Sequence, residues 1–406
     1  MIDLLEYLNP RLEPEEVIDR LTALPPVPDI DGKSKSQRLA CLQTIYKAFV
    51  PMPIAVEVYY KLYEALFRAL QKKMTATVSK QQAENYKGLR GQEFSGIVGG
   101  VDSISIIGES GTGKTATVSR VASLLTADEV ISFKKPYKAT IIPCLIVNCP
   151  FDSSVKTLMA EIMRLVDARI GTNYFAGTVK TTSTTGMMIA AVSNILINHV
   201  GILVIDEIQN VIKTKNGFNL IGSLTQLVNS SGVSIVMVAN PEVKPFFERD
   251  LKLARRAIGL EFKPMPCDAS FAEFVRTLFS YQVTANRAEL TDEILMRIYE
   301  GTNGIPALVV SLLHDVQERA VIDGSEALTA KAIAGVLSER YGIIMPSLEK
   351  PLRKAPRAPG EHIEIVSDTS LEVIEDDFIE KAIKYAKKNG ADIVEYLKAQ
   401  VEVVEL

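Results

Sequence analysis

The sequence predicts an α/β fold: a parallel five-stranded sheet covered by helices on both faces, with a helical N-terminal extension and an all-helical segment after it. Three observations carry that expectation. Short apolar runs alternate with amphipathic helical patterns between residues 86 and 265, as parallel strands buried on both faces require. One strand-to-helix junction, GESGTGKT at 108–115, fits G-x-x-x-x-G-K-[ST] at every fixed position. Two later runs end in polar side chains, ILVIDE at 202–207 and SIVMVAN at 234–240, and open α/β sheets bind ligands at the C-terminal ends of their strands.

Taken in order, residues 1–85 read as helices. A short amphipathic pattern at 17–24 is broken by PPVPD (25–29), and patterns at 35–49 and 54–72 are separated by Pro51 and Pro53. The aromatics Tyr59, Tyr60, Tyr63 and Phe67 form a stripe that suits helix–helix core, with a base-stacking platform as the alternative. In the nucleus at 86–265, strands are expected at 103–107, 141–148, 201–205, 234–239 and 258–262, and helices at 116–125, 154–170, 185–200 and 219–230. Residues 266–345 carry helical patterns only. Ser270 with Glu273 makes a capping-box pattern, Thr291 caps EILMRIYEG, and patterns at 305–322 and 329–341 complete the segment. In the last unit, 346–406, PSLEKPLRKAPRAPGEH (346–362) reads as an extended linker; an acidic stretch at 361–377 and an amphipathic helical terminus at 378–401 follow.

With 406 residues, 47% of them hydrophobic, the chain can bury one large core and a smaller one. A net charge of −4 excludes a globally basic nucleic-acid binder and leaves room for a local basic groove. Cys41, Cys144, Cys149 and Cys267 form no C-x-x-C pair, and His199, His314 and His362 are scattered, so inert core thiols are expected rather than a metal centre. The start MIDLLEYLNPRLEPEE has acids where a signal peptide needs bases, and no apolar run is long enough to span a bilayer. A cytoplasmic protein with no membrane partner is the expectation.

The chemistry concentrates in four stretches. In the loop formed by Gly108, Glu109, Ser110, Gly111, Thr112, Gly113, Lys114, Thr115 and Ala116, glycines let successive backbone N–H groups curl round a phosphate at a helix N-terminus. Lys114 then reaches the β- and γ-phosphates and the Thr115 hydroxyl ligates Mg²⁺, which makes this a nucleoside triphosphate site. Asp206 suits the metal shell, and Glu207 suits polarising the water that attacks the γ-phosphate. Asn240 can hydrogen-bond that water or the γ-phosphate, although Asn-Pro also favours a plain turn. In FFERDLKLARRAIG (246–259), Arg255 or Arg256, with Arg249 a third candidate, can stabilise charge on a neighbouring subunit's γ-phosphate; a solvated basic turn is the alternative.

The order phosphate loop, IDE, strand-end Asn, paired arginines and helical segment resembles an AAA+ ATPase. GESGTGKT, LVIDEIQN, VMVAN and GTNGIPALVVSLL are similar to the TnsC/TniB branch, the ATP-dependent regulators of DNA transposition, over residues 90–342. That resemblance implies an AAA+ P-loop fold in which 266–345 is a helical lid, with ATP and Mg²⁺ as cofactors. It also implies homo-oligomeric rings or filaments on double-stranded DNA that connect a target-selection protein to a transposase. Family DNA contacts follow the second strand, where this chain has Lys156, Arg164 and Arg169 on a helix and then Lys180, Thr181 and Thr182. Hydroxyls with sparse cations suit sequence-independent backbone contacts; a solvated helix face with a polar loop fits the same residues. Lys134, Lys135 and Lys138 read as a solvated loop. The chain departs from many AAA+ lids after its Gly-x-Pro turn, where GTNGIPALV offers Ala307 and no nearby arginine or lysine for a γ-phosphate contact. Hydrolysis is therefore expected to couple weakly to lid motion, and slow, partner-stimulated turnover is the expectation for a switch rather than a motor. A signalling or defence ATPase that assembles without DNA, and a non-hydrolysing ATP-bound scaffold, are the competing readings.

Overall fold

The apolar runs pair into one sheet. In the computed structural model, which describes residues 7–73, 75–96, 103–133, 139–213, 217–244 and 257–341, the strands are β1 (Ser103–Gly108), β2 (Ile131–Phe133), β3 (Ala139–Asn148), β4 (Val200–Asp206), β5 (Ser234–Ala239) and β6 (Ala257–Phe262). Their order is β2-β3-β4-β5-β1-β6. The five expected strands are all present and mutually parallel; the three-residue β2, which the sequence reading did not foresee, pairs antiparallel with β3 at the edge. An antiparallel edge strand on a parallel sheet is a common closing device. Arg249, Arg255, Arg256, Lys134, Lys135, Lys138 and everything from 342 onward lie outside the described residues.

Successive strand residues point to opposite faces, and the burial follows that period. Ile202 and Val204 of β4 enter one core cluster, while Leu203 and Ile205 enter the other. The second core is completed by α6 (Val155–Ile170), α8 (Thr185–His199) and α9 (Gly217–Ser231). The first is completed by α1 (Pro14–Leu21), α3 (Ile54–Lys73) and α5 (Lys114–Leu124). The N-terminal helices therefore cover a face of the sheet. The aromatic stripe belongs to this core: the Tyr59 hydroxyl accepts from the Leu12 N–H at 3.0 Å, Tyr60 donates to the Leu12 carbonyl at 3.0 Å, and Tyr63 donates to the Asn9 carbonyl at 3.2 Å.

Three local features differ from the sequence reading. The expected helix at 35–49 is α2 (Lys35–Leu42) followed by a 3₁₀ turn, Gln43–Lys47; the chain then extends so that Phe49 and Ala23 exchange backbone hydrogen bonds at 2.8 and 2.9 Å. A polar helix, α4 (Ala76–Leu89), packs on α8. It is held by hydrogen bonds from Gln82 to the Asn198 side chain of α8 at 2.7 Å and from Asn85 to the Ser230 carbonyl of α9, with Leu89 packed against the apolar core. The short α7 (Tyr174–Thr178) lies between α6 and α8.

After β6 come α10 (Ala269–Phe279), α11 (Asp292–Thr302), α12 (Pro306–Asp323) and α13 (Ala330–Arg340). Asp268, not Ser270, caps α10. Its carboxylate accepts from the Ser270 and Phe271 N–H groups at 2.9 and 3.3 Å, while Glu273 pairs with Arg276. A carboxylate at the N-cap gains from the helix dipole as well as the hydrogen bonds. Thr291 and Thr329 cap their helices as the sequence suggests. This bundle is tied back to the N-terminal helices, since Ile45 sits in its core and Leu42 packs with Val283 and Val321.

Candidate nucleotide site

The site grows from the turn between β1 and α5. A Cβ on Gly108 would lie 2.4 Å from the Phe262 carbonyl oxygen of β6, so only glycine lets the two strands approach there. Gly111 adopts φ +83°, and its carbonyl accepts from the Ala307 N–H at 3.1 Å. The first turn of α12 thereby touches the phosphate loop through backbone, at the position where the sequence offers no arginine. Glu109 and Ser110 are exposed, and Thr112 folds back to donate to the Glu109 carbonyl at 2.8 Å.

Lys114 is buried, yet among the described residues no carboxylate touches it. Its ammonium donates to the Gly108 carbonyl at 2.6 Å, the Glu109 carbonyl at 2.8 Å and the Asn240 side-chain oxygen at 3.2 Å. Burial pushes its pKa down, while Asp206, Glu207 and Glu109 nearby pull the other way. Thr115 donates to one oxygen of Asp206 at 2.6 Å, and the other Asp206 oxygen accepts from the Glu207 N–H at 2.7 Å. Asp206 is buried at the end of β4. Glu207, just beyond, is exposed and holds φ +57°, a costly conformation for a residue with a side chain.

The sequence reading missed Gln209. This buried side chain donates to the Glu207 carboxylate and accepts from the Asn240 N–H at 3.2 Å. It closes a ring running Lys114, Asn240, Gln209, Glu207, Asp206 and Thr115, assembled from α5 and the ends of β4 and β5. The signal lay in IDEIQN, two residues past the acid pair, but a glutamine in a 3₁₀ turn has no periodicity to mark it.

A second missed element is an apolar slot of about 160 Å³ beside the loop. Its walls come from 48–52, from Gly111 to Gly113 with Ala116, and from Phe274, Leu278 and Pro306. The Pro-bounded run FVPMP (49–53) was its only trace in the sequence.

The residues expected at DNA do not all come together. Lys156, at the start of α6, donates to the Ser183 carbonyl at 2.8 Å, which puts it beside the exposed Lys180, Thr181 and Thr182. Arg164 is paired with Glu161 at 2.6 Å. Arg169 lies at the far end of α6, 3.6 Å from Glu129, about 20 Å along the axis from Lys156.

Fold and site define a P-loop nucleotide-binding protein with an α/β core. Residues 100–247 match the family model described as an AAA domain, a span that contains every member of the hydrogen-bonded ring. That region is therefore an AAA-type P-loop domain, and the fold is AAA+. No curated protein matches the sequence. Among solved structures, the chain is similar to the Aeropyrum pernix ORC1 protein in complex with DNA (17% identity, 81% of this chain and 79% of that one, TM-score 0.42). It is also similar to the Aeropyrum pernix ORC2 protein in ADPNP–ADP complexes (17%, 64% and 66%, TM-score 0.37). A third similarity is to Cdc6p from Pyrobaculum aerophilum (17%, 61% and 63%, TM-score 0.39). The match spans just under two thirds of the latter two chains. Among the described residues, no helix is long and apolar enough to cross a membrane.

Proposed function

We propose that this protein is an AAA+ ATPase that binds ATP and Mg²⁺ and assembles as a homo-oligomer on double-stranded DNA. In this reading it links a target-selection protein to a transposase, and hydrolysis dissolves the assembly. The observation that carries the ATPase reading is the convergence of Lys114, Thr115, Asp206, Glu207 and Asn240 at one edge of the sheet. Lys114 exchanges neutral loop carbonyls for phosphate oxygens. The Thr115 hydroxyl and the buried Asp206 carboxylate form an all-oxygen donor set that fits a hard divalent cation. Mg²⁺, when bound, neutralises charge on the β- and γ-phosphates. Glu207, exposed toward solvent, takes a proton from the attacking water; Asn240 orients that water, and Gln209 holds both in register. The base has the apolar slot beside the loop. Arg255, Arg256 or Arg249 supplies the charge in trans.

The DNA and transposition part rests on the similarity of GESGTGKT, LVIDEIQN, VMVAN and GTNGIPALVVSLL to the TnsC/TniB branch. The exposed Lys180, Thr181 and Thr182 beside Lys156 add support. The test is negative-stain imaging with a non-hydrolysable ATP analogue, with and without linear duplex DNA. Rings or filaments that need both ligands support the reading. Assemblies indifferent to DNA turn it toward a signalling ATPase, which the pairing of Arg164 and Arg169 with acids favours. Nucleotide binding without turnover, even with DNA present, turns it toward a scaffold.

A further inference from the structure

A larger groove, about 620 Å³, runs between α1, residues 50–56 and α10. Its floor is apolar: Ile18, Val50, Met52, Val56, Met265 and Phe274. Its rim carries Glu15, Asp19 and Glu273, and among the described residues no lysine or arginine lines it. Glu273 is shared with Arg276, whereas no ion pair involves Glu15 or Asp19 among the described residues. An apolar floor under an anionic rim repels a phosphate backbone and is complementary to a chain that offers cations and apolar side chains together.

The spacing accommodates an extended segment. Glu15 and Asp19 stand one helical turn apart on α1, about 6 Å along its axis. Alternate residues of an extended chain repeat at about 6.6 Å, so cations at every second position meet both carboxylates while the intervening apolar side chains face the floor. Val50, Met52 and Phe274 line the groove and also wall the slot beside the phosphate loop. Whatever presses on one side of that wall is felt on the other.

We propose that this groove docks an extended, cationic and apolar segment of a partner protein, and that docking is linked to nucleotide binding through the shared wall of Val50, Met52 and Phe274. The linkage half rests on the nucleotide reading of the phosphate loop. By reciprocity, nucleotide must change the segment's affinity by the factor by which the segment changes nucleotide affinity.

The probe is a short fluorescein-labelled peptide alternating lysine with valine and proline, titrated against the full chain by fluorescence anisotropy at low salt. Its control carries glutamate in place of lysine. The lysine peptide binds and the control does not; the double variant Glu15→Lys/Asp19→Lys weakens binding about tenfold, with thermal melting and affinity for a fluorescent ATP analogue unchanged. Equal binding of both peptides, or a double variant that binds like the wild type, overturns the docking. A non-hydrolysable ATP analogue is expected to shift peptide affinity about fivefold or more; an analogue that binds and leaves peptide affinity unmoved overturns the linkage. If the analogue does not bind at all, the nucleotide reading fails instead, and the nucleotide-free titration still decides the docking.

Discussion

Two cations, Lys114 and Arg38, are almost equally buried, at 8% and 7% exposure, in opposite surroundings. Arg38 of α2 closes on Glu326, at 2.8 Å and 2.5 Å through its two terminal nitrogens, and also donates to the Val283 carbonyl at 2.7 Å. That guanidinium holds the Glu326 carboxyl down at about 2. Among the described residues Lys114 meets only neutral oxygens, and burial pushes its pKa down. A buried charge is tolerated when a counter-charge answers it directly. Arg38 has its answer within the chain and works as a clamp between the N-terminal helices and the α10–α13 bundle. Lys114 keeps its charge available for an anion from outside.

The contrast is sharpest in hydrolysis. Glu207→Gln keeps size and hydrogen bonding but removes the proton acceptor, so turnover is expected to fall about 10³-fold with ATP affinity nearly unchanged. Lys114→Ala should instead lower ATP affinity itself, by about 100-fold. Steady-state phosphate release and equilibrium titration with a fluorescent analogue separate the two. A Glu207→Gln protein that hydrolyses ATP at the wild-type rate would show that another group activates the water.

On the Arg38 side the effect is on stability. Arg38→Ala leaves the part-buried Glu326 without its charged partner, at a cost of about 3 kcal/mol, while Arg38→Met/Glu326→Leu recovers most of it. The pH dependence has a definite sign. The folded carboxyl of Glu326 lies near 2 against an ordinary 4.5, so its contribution is complete above about pH 4.5 and fades as pH falls toward 2. Denaturant unfolding at successive pH values should therefore show the gap between wild type and Arg38→Ala closing below about pH 4.5. A gap that stays constant down to pH 3 would remove the ion pair from the account.

Legibility in the sequence follows the same division. The five parallel strands could be read because each is an apolar run closed by a turn, and the phosphate loop because its glycines and lysine sit at fixed spacing. The cap of α10 escaped because Asp268, two residues before the serine that matched the pattern, makes the local contact in its place. The rest of what escaped was held together by tertiary hydrogen bonds: helix α4 docks through Gln82 and Asn85, and β2 needs β3 beside it. Gln209 belongs to this class. Its partners Glu207 and Asn240 are on different strands' ends and only meet in the fold. Gln209→Ala is expected to lower kcat about tenfold and leave KM within about twofold; a change confined to KM would mean that Gln209 shapes binding rather than positioning the base.

The cations near α6 fall between the two extremes and predict the smallest effect. Lys156 and Lys180 sit by the same turn, the first bonded, among the described residues, only to the Ser183 carbonyl and the second exposed, whereas Arg164 already faces Glu161. A cation free of carboxylates releases counterions when it meets a phosphate; one that must first leave an acid gains less. Lys180→Ala should therefore reduce the salt slope of duplex-DNA binding by about one and weaken affinity a few-fold, evenly across sequences. Arg164→Ala should change the slope little. Equal effects of the two substitutions would mean that the Arg164–Glu161 pair opens on DNA, so that pairing in the free protein does not separate structural cations from binding ones.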